Sequence, residues 1–300
     1  MGTMRSNERS ARFDSQRQVP VASSREGVPT QPGAEGYSHP FGWWGYHWTP
    51  AQPRSLPWLV NHEMFDTVTA AFLSLAVEAR TSLIVVSEPH EAGKTTLLTA
   101  LLDFLPDGTQ PVYLRGWYER FAFLEHYPPT QAYVLCNEIS AHLPTYLWGH
   151  GVRRMFDAVA AGYPLATTMH ATSAANAIEQ LTTYPLEVPA EHLSGLDLIV
   201  TIGVGYASNR LLRRVTRIER VRPFDESVRI ELLAEREPLR GDLRYQIGRF
   251  IGVLAAWYDC SDSDAAALLA KRTRDLEGWI TSGLDTLPSL RPTIEAARQR

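Results

Sequence analysis

The chain has 300 residues, 44% of them hydrophobic, and a formal net charge of −4. That length suits one α/β domain with additions or two small domains, and the apolar share is ample for a packed core. The mild acidity excludes a general attraction to nucleic acid or to an anionic membrane, so no direct nucleic-acid partner is expected.

Residues 1–40 are rich in Ser, Arg, Gln, Gly and Pro, a composition that predicts disorder. Within the N-terminal segment 1–57, the run 41–48 places five aromatic rings (Phe41, Trp43, Trp44, Tyr46 and Trp48) among glycines. It reads as a clasp folding onto the domain, because exposed aromatics are costly without a partner; the sharper alternative is a docking or base-stacking patch. Pro57 precedes an amphipathic pattern that predicts one helix over 59–79.

A buried strand over 83–86 then runs through a tight loop into a helix opened by Gly93-Lys94-Thr95-Thr96. This strand–loop–helix is the context of a phosphate-binding loop, G-x-x-x-x-G-K-[ST]. Its chemistry needs backbone N–H groups turned onto phosphates at a helix start whose dipole favours anions. Pro89, His90, Glu91, Ala92, Gly93, Lys94, Thr95 and Thr96 are therefore the expected nucleotide-binding residues. Lys94 would neutralise phosphate charge, and the Thr95 hydroxyl would ligate Mg²⁺. Glu88 replaces the first glycine and Glu91 sits inside the loop; both should repel a triphosphate unless they point outward or are protonated.

Pro106-Asp107-Gly108 predicts a turn, 112–114 a short strand, and 131–136 a buried strand ending at Asn137-Glu138. A carboxylate at a strand end beside such a loop can order Mg²⁺ or the attacking water. A helix over 146–161, a strand over 164–169 and a helix over 174–181 capped by Ser173 follow. Strands over 196–202 and 213–221 come next, the latter expected to pair with 228–233. Alternating strands and helices indicate a mainly parallel sheet covered on both faces, an α/β fold. The region 241–300 reads as a small helical addition to the 58–240 domain, with helices over 245–257 and 263–281 and then a fraying basic tail. The apolar run 250–258 is too short to cross a bilayer. Cys136 and Cys260 have neither metal-site nor disulfide-framework spacing, so the expectation is a soluble cytoplasmic protein.

These pieces resemble the type II/IV secretion and type IV pilus ATPases, over about 59–221. Gly93-Lys94-Thr95-Thr96 resembles the family's Walker A. Arg115-Gly116-Trp117-Tyr118-Glu119 falls where the family has an acidic box, of which Glu119 keeps the last acid. Asn137-Glu138-Ile139-Ser140 is similar to its Walker B. Thr167-Thr168-Met169-His170-Ala171-Thr172-Ser173-Ala174-Ala175 resembles its His box, with Tyr163 in place of the first histidine. Only 19 positions separate Glu119 from Glu138, so the stretch that carries inter-subunit arginines in the family is largely missing. Arg120, Arg153 and Arg154 are the nearest candidates.

The resemblance implies a RecA-like P-loop NTPase that binds ATP and Mg²⁺, with Glu119, Glu138 and His170 as catalytic residues. Glu119 would accept the proton of the attacking water, Thr95 and Glu138 would hold Mg²⁺, and His170 would sense the terminal phosphate. It further implies a homo-hexamer driving a polytopic membrane platform protein and pilin-like subunits, from the cytoplasm or at the inner face of the cell membrane. Two alternatives stay open: a non-hydrolysing nucleotide-binding scaffold of such an assembly, and a stand-alone P-loop ATPase or kinase.

Overall fold

The computed structural model describes residues 34–38, 53–207, 209–225, 227–237 and 239–298. The aromatic run 41–48 lies outside the described residues. The described residues pack as one compact unit.

An eight-stranded sheet runs through this unit. Its strands are β1 (Leu83–Val86), β2 (Gln110–Tyr113), β3 (Ala132–Leu135), β4 (Leu165–Met169), β5 (Leu198–Ala207), β6 (Arg210–Phe224), β7 (Ser227–Glu235) and β8 (Arg244–Tyr245). The spatial order is β2-β3-β4-β1-β5-β6-β7-β8. The first five in this order are parallel, joined by helical crossovers, and the remainder is an antiparallel ribbon. The sheet is thus mainly parallel, with an antiparallel ribbon on one side where β5, β6 and β7 are joined by turns too short for a crossover.

Alternation along the strands explains why both faces are covered. In β1, Leu83 and Val85 enter one core cluster while Ile84 and Val86 enter the other. On the first face lie α1 (Leu56–Asn61), α2 (Thr67–Glu78) and α3 (Lys94–Leu102), with α6 (Ile247–Tyr258), α7 (Asp262–Thr281) and α8 (Leu287–Arg298). The second face carries α4 (His150–Ala160) and α5 (Ala174–Thr182). A parallel sheet flanked by helices, with a phosphate-loop segment entering a helix from its central strand, is the P-loop NTPase arrangement.

Three expectations need correction. The single helix expected over 59–79 is two helices. The chain breaks after Asn61, Glu63 takes a left-handed turn at φ 61°, and Asp66 caps α2 by accepting the Thr69 N–H at 2.7 Å. Nine of the twelve residues of α2 are buried, so it is a central helix rather than an amphipathic surface one. Second, part of the segment expected to be disordered is ordered: Ala34–Ser38 form a 3-10 turn whose Tyr37 is 1% exposed. Third, the tail is not frayed. It forms α8, which buries Leu287, Leu290 and Ile294 and ties Arg291 to Asp103 and Arg298 to Asp107, both at 2.7 Å.

Candidate active site

Strands β3, β4 and β1 are neighbours and parallel, so their C-terminal ends deliver Glu138, His170 and the 87–93 loop to one edge of the sheet. Each delivery has a local cause. After β3 the chain is held to β4, the Ile139 N–H donating to the Thr168 carbonyl at 2.9 Å and the Thr168 hydroxyl to the Asn137 carbonyl at 2.9 Å. That fixes Glu138. After β1 the Ser87 hydroxyl donates to the Ile202 carbonyl at 2.7 Å, which aims the loop across the end of the sheet. Gly93 then turns at φ +93° to start α3, and the ε-carbon of Met64 lies 3.1 Å from where a β-carbon would stand. The positive φ favours glycine there.

The resulting cavity, about 590 Å³, is lined by His90, Glu91, Ala92, Gly93, Lys94, Thr95 and Thr96 from the loop and helix, and by Glu138 and His170. Its volume falls within the small-molecule range. Lys94 is 6% and Glu138 8% exposed. Lys94 Nζ is 3.3 Å from His170 Nε2, which is 3.5 Å from Glu138 Oε1. His170 Nδ1 stands 2.9 Å from the Glu88 carbonyl, an acceptor only, so Nδ1 carries the proton and donates. A neutral ring then leaves Nε2 to accept from Lys94. Burial lowers the His170 pKa and favours that neutral ring, so its approach to Glu138 is a close contact rather than an ion pair.

The electrostatic pair is Lys94 with Glu138. Burial lowers the Lys94 pKa, opposed by the Glu138 charge. Burial likewise raises the Glu138 pKa, opposed by Lys94, His90 and His142. Each charge makes the other bearable at these buried positions.

Glu88 and Pro89 are exposed and lie off the cavity wall. Glu91 lines the cavity but is exposed, its backbone turned to φ 56° so that its carbonyl accepts from Arg213 Nε at 2.8 Å.

Glu119 is not brought into the cavity. It follows β2, at the edge of the sheet, and its carboxylate is used where it stands. Oε1 accepts from the Tyr37 hydroxyl at 2.8 Å and the Phe121 N–H at 2.5 Å, and Oε2 from the Arg115 N–H at 2.7 Å. The expectation that Glu119 takes the proton of an attacking water is corrected on this geometry: three donors hold the carboxylate in a loop-bracing role. Burial, followed by the Glu119 charge, pushes the Tyr37 phenol well above its usual range.

Tyr163, 7% exposed, precedes β4 while His170 follows it; its hydroxyl donates to the Tyr127 carbonyl at 2.8 Å, a core role. The expected arginines also lie elsewhere. Arg153 Nε donates to the Glu187 carbonyl at 2.8 Å, Arg154 lies 5.0 Å over the Phe121 ring, and Arg120 is exposed off the cavity wall. Arg213, near the start of β6, is the arginine on the wall. Sequence reading missed it, and also Trp58, Leu59, Met64 and Tyr146, which complete the lining. The α1–α2 turn is pinned to β6 by the Val215 N–H donating to the Met64 carbonyl at 2.8 Å and by an Arg214–Glu63 ion pair.

No family model matches the chain. Uncharacterized protein MJ0900 of Methanocaldococcus jannaschii is 26% identical over 198 residues, covering 59% of this chain and 35% of that protein. The chain therefore spans about a third of the length of the curated relative it matches. Among solved structures it is similar to the VirB11 ATPase of the Brucella suis type IV secretion system in complex with sulphate. The TM-score is 0.38 at 20% identity, over 50% of this chain and 51% of that one. It is also similar to the Legionella pneumophila ATPase DotB, at TM-score 0.38 and 14% identity, over 74% of this chain and 59% of that one.

Proposed function

We propose that this chain binds Mg–ATP and hydrolyses it, as the ATPase of a secretion or pilus-type assembly. The observation that carries the reading is the convergence of Lys94, Glu138 and His170, from three adjacent parallel strand ends, on a cavity at the start of α3. Backbone N–H groups of the loop and the first turn of α3 would hold the phosphates, with Lys94 neutralising their charge. Trp58, Leu59 and Met64 give the apolar wall on which a base would rest.

The Thr95 hydroxyl and the Glu138 carboxylate are oxygen donors, the set that a hard divalent cation such as Mg²⁺ takes. When bound, that ion supplies neutralisation of charge on the transferring phosphoryl group. Glu138, rather than Glu119, is then the acid placed to orient water. As water attacks the terminal phosphorus, the bond to the ADP oxygen breaks and the water proton passes to carboxylate or solvent.

A homo-oligomer acting on a membrane platform and pilin-like proteins belongs to the same proposal and is supported by the motif resemblance alone. A second reading, a nucleotide-binding scaffold without turnover, is favoured by the tethering of Glu119 and the scarcity of arginine at the cavity.

Steady-state phosphate release separates the two. The ATPase reading expects Mg–ATP-dependent release by the wild type and a fall of about 30–150-fold in Lys94→Ala, which loses a charge-assisted contact of about 2–3 kcal/mol to the transferring phosphoryl group. Binding of Mg–ATP without release would leave the scaffold reading standing.

A further inference from the structure

Beside Lys94, Glu138 and His170 stand two imidazoles that the mechanism above leaves unused. The His90 ring centroid is 4.3 Å from that of His170 and 6.3 Å from that of His142, and His142 is 6.4 Å from His170. The three rings come from separate segments: the loop after β1, the chain after β3 and the end of β4. His90 lines the cavity. His142 is exposed beside it, its backbone N–H donating to Ser140 Oγ at 3.2 Å.

Burial does not explain the cluster, since His90 and His142 are both exposed. As cations, moreover, imidazoles repel one another. A ligand shared among them is what such an arrangement suits. Imidazole ring N–H groups donate hydrogen bonds, so an anion is a ligand that these rings can share.

The charges already placed at the cavity point the same way. Lys94 is offset by Glu138, Arg213 engages the Glu91 carbonyl, and Arg120, Arg153 and Arg154 lie off the wall. Yet a terminal phosphate adds negative charge beyond what a diphosphate brings, and phosphoryl-transfer sites meet it with further donors, commonly arginine.

We propose that His90 and His142 are those donors, their ring N–H groups taking the terminal phosphate of a bound nucleoside triphosphate. The inference rests on the nucleotide reading and adds to it a basis for telling triphosphate from diphosphate.

The test is a pair of equilibrium titrations of the full chain, one with a magnesium-bound non-hydrolysable ATP analogue and one with Mg–ADP. Each is run on the wild type and on the variant His142→Ala, a residue that lies off the cavity wall. Triphosphate affinity should fall about tenfold or more in the variant while diphosphate affinity moves less than about twofold, as expected for lost bonds to one phosphate. The preserved diphosphate affinity shows that the variant is folded. Equal losses for both nucleotides, or an unchanged triphosphate affinity, would overturn the proposal while leaving the nucleotide site intact. A wild type that binds neither nucleotide overturns both.

Discussion

Lys94 and Glu138 are charges kept almost out of water, and nothing in the packing of the sheet requires either of them. Their pKa shifts have burial as the leading cause, the arrangement expected where a protein holds charge for use. The pH consequence has a definite sign. Burial favours the neutral acid, so the folded chain holds the Glu138 proton more tightly than the unfolded chain does. Stability is therefore lost as pH rises from the ordinary carboxylate range through the raised value. Glu138→Gln avoids that loss. It should melt higher than the wild type at pH 8, with the difference fading toward pH 4, while phosphate release is abolished. A melting temperature at pH 8 below that of the wild type would show that Glu138 is held charged for stability instead. At this scale the sequence was informative where chemistry is tied to spacing. Lys94, Glu138 and His170 each lie at a strand end or helix start that periodicity and motif could mark. Arg213 carried no such signal, since an arginine in an Arg-rich strand looks like a solvated face.

The elements show why some residues are where they are. Glu119 follows a four-residue edge strand, and the 3-10 turns around it present three donors to its carboxylate. Replacing it with Gln turns one acceptor into a donor facing an N–H or O–H, at a cost of about 1–3 kcal/mol. Thermal melting should register this as a drop of about 2–4 °C per kcal/mol. Phosphate release by the folded variant should stay within about tenfold of the wild type; a loss of about 10²–10⁴ would restore Glu119 as the catalytic base. The helix breaks tell a similar story about legibility. The α1–α2 turn holds no Gly or Pro, and its left-handed residue is Glu63, so nothing in composition announced it. Pro288 and Pro292 disfavour a helix at the C-terminus, yet α8 forms with Leu290 and Ile294 buried in the core of the first face. Tertiary burial overrode local preference in both places.

At the scale of the whole molecule, the order β2-β3-β4-β1-β5 places the 87–93 loop after a strand flanked by β4 on one side and β5 on the other. A ligand that bridges loop and acid then sits over neighbouring strand ends, where a parallel sheet opens a crevice. The antiparallel half lends Arg213 and pins the α1–α2 turn that brings Trp58 and Met64 to the same cavity. Parallel β–α units were readable because their strands are short apolar runs separated by helical periodicity. The far side of the cavity was not, since its residues come from a helix upstream and a strand well downstream of the loop. Among the described residues no helix is long and apolar enough to cross a membrane. The central proposal is that this composite cavity is a nucleotide site centred on Lys94. Calorimetric titration of the wild type and of Lys94→Ala with Mg–ATP tests it most directly. Saturable one-to-one binding to the wild type that is lost in the variant is the predicted result, and a wild type that gives no binding heat with Mg–ATP at millimolar concentration, or a variant that binds as tightly as the wild type, would contradict it.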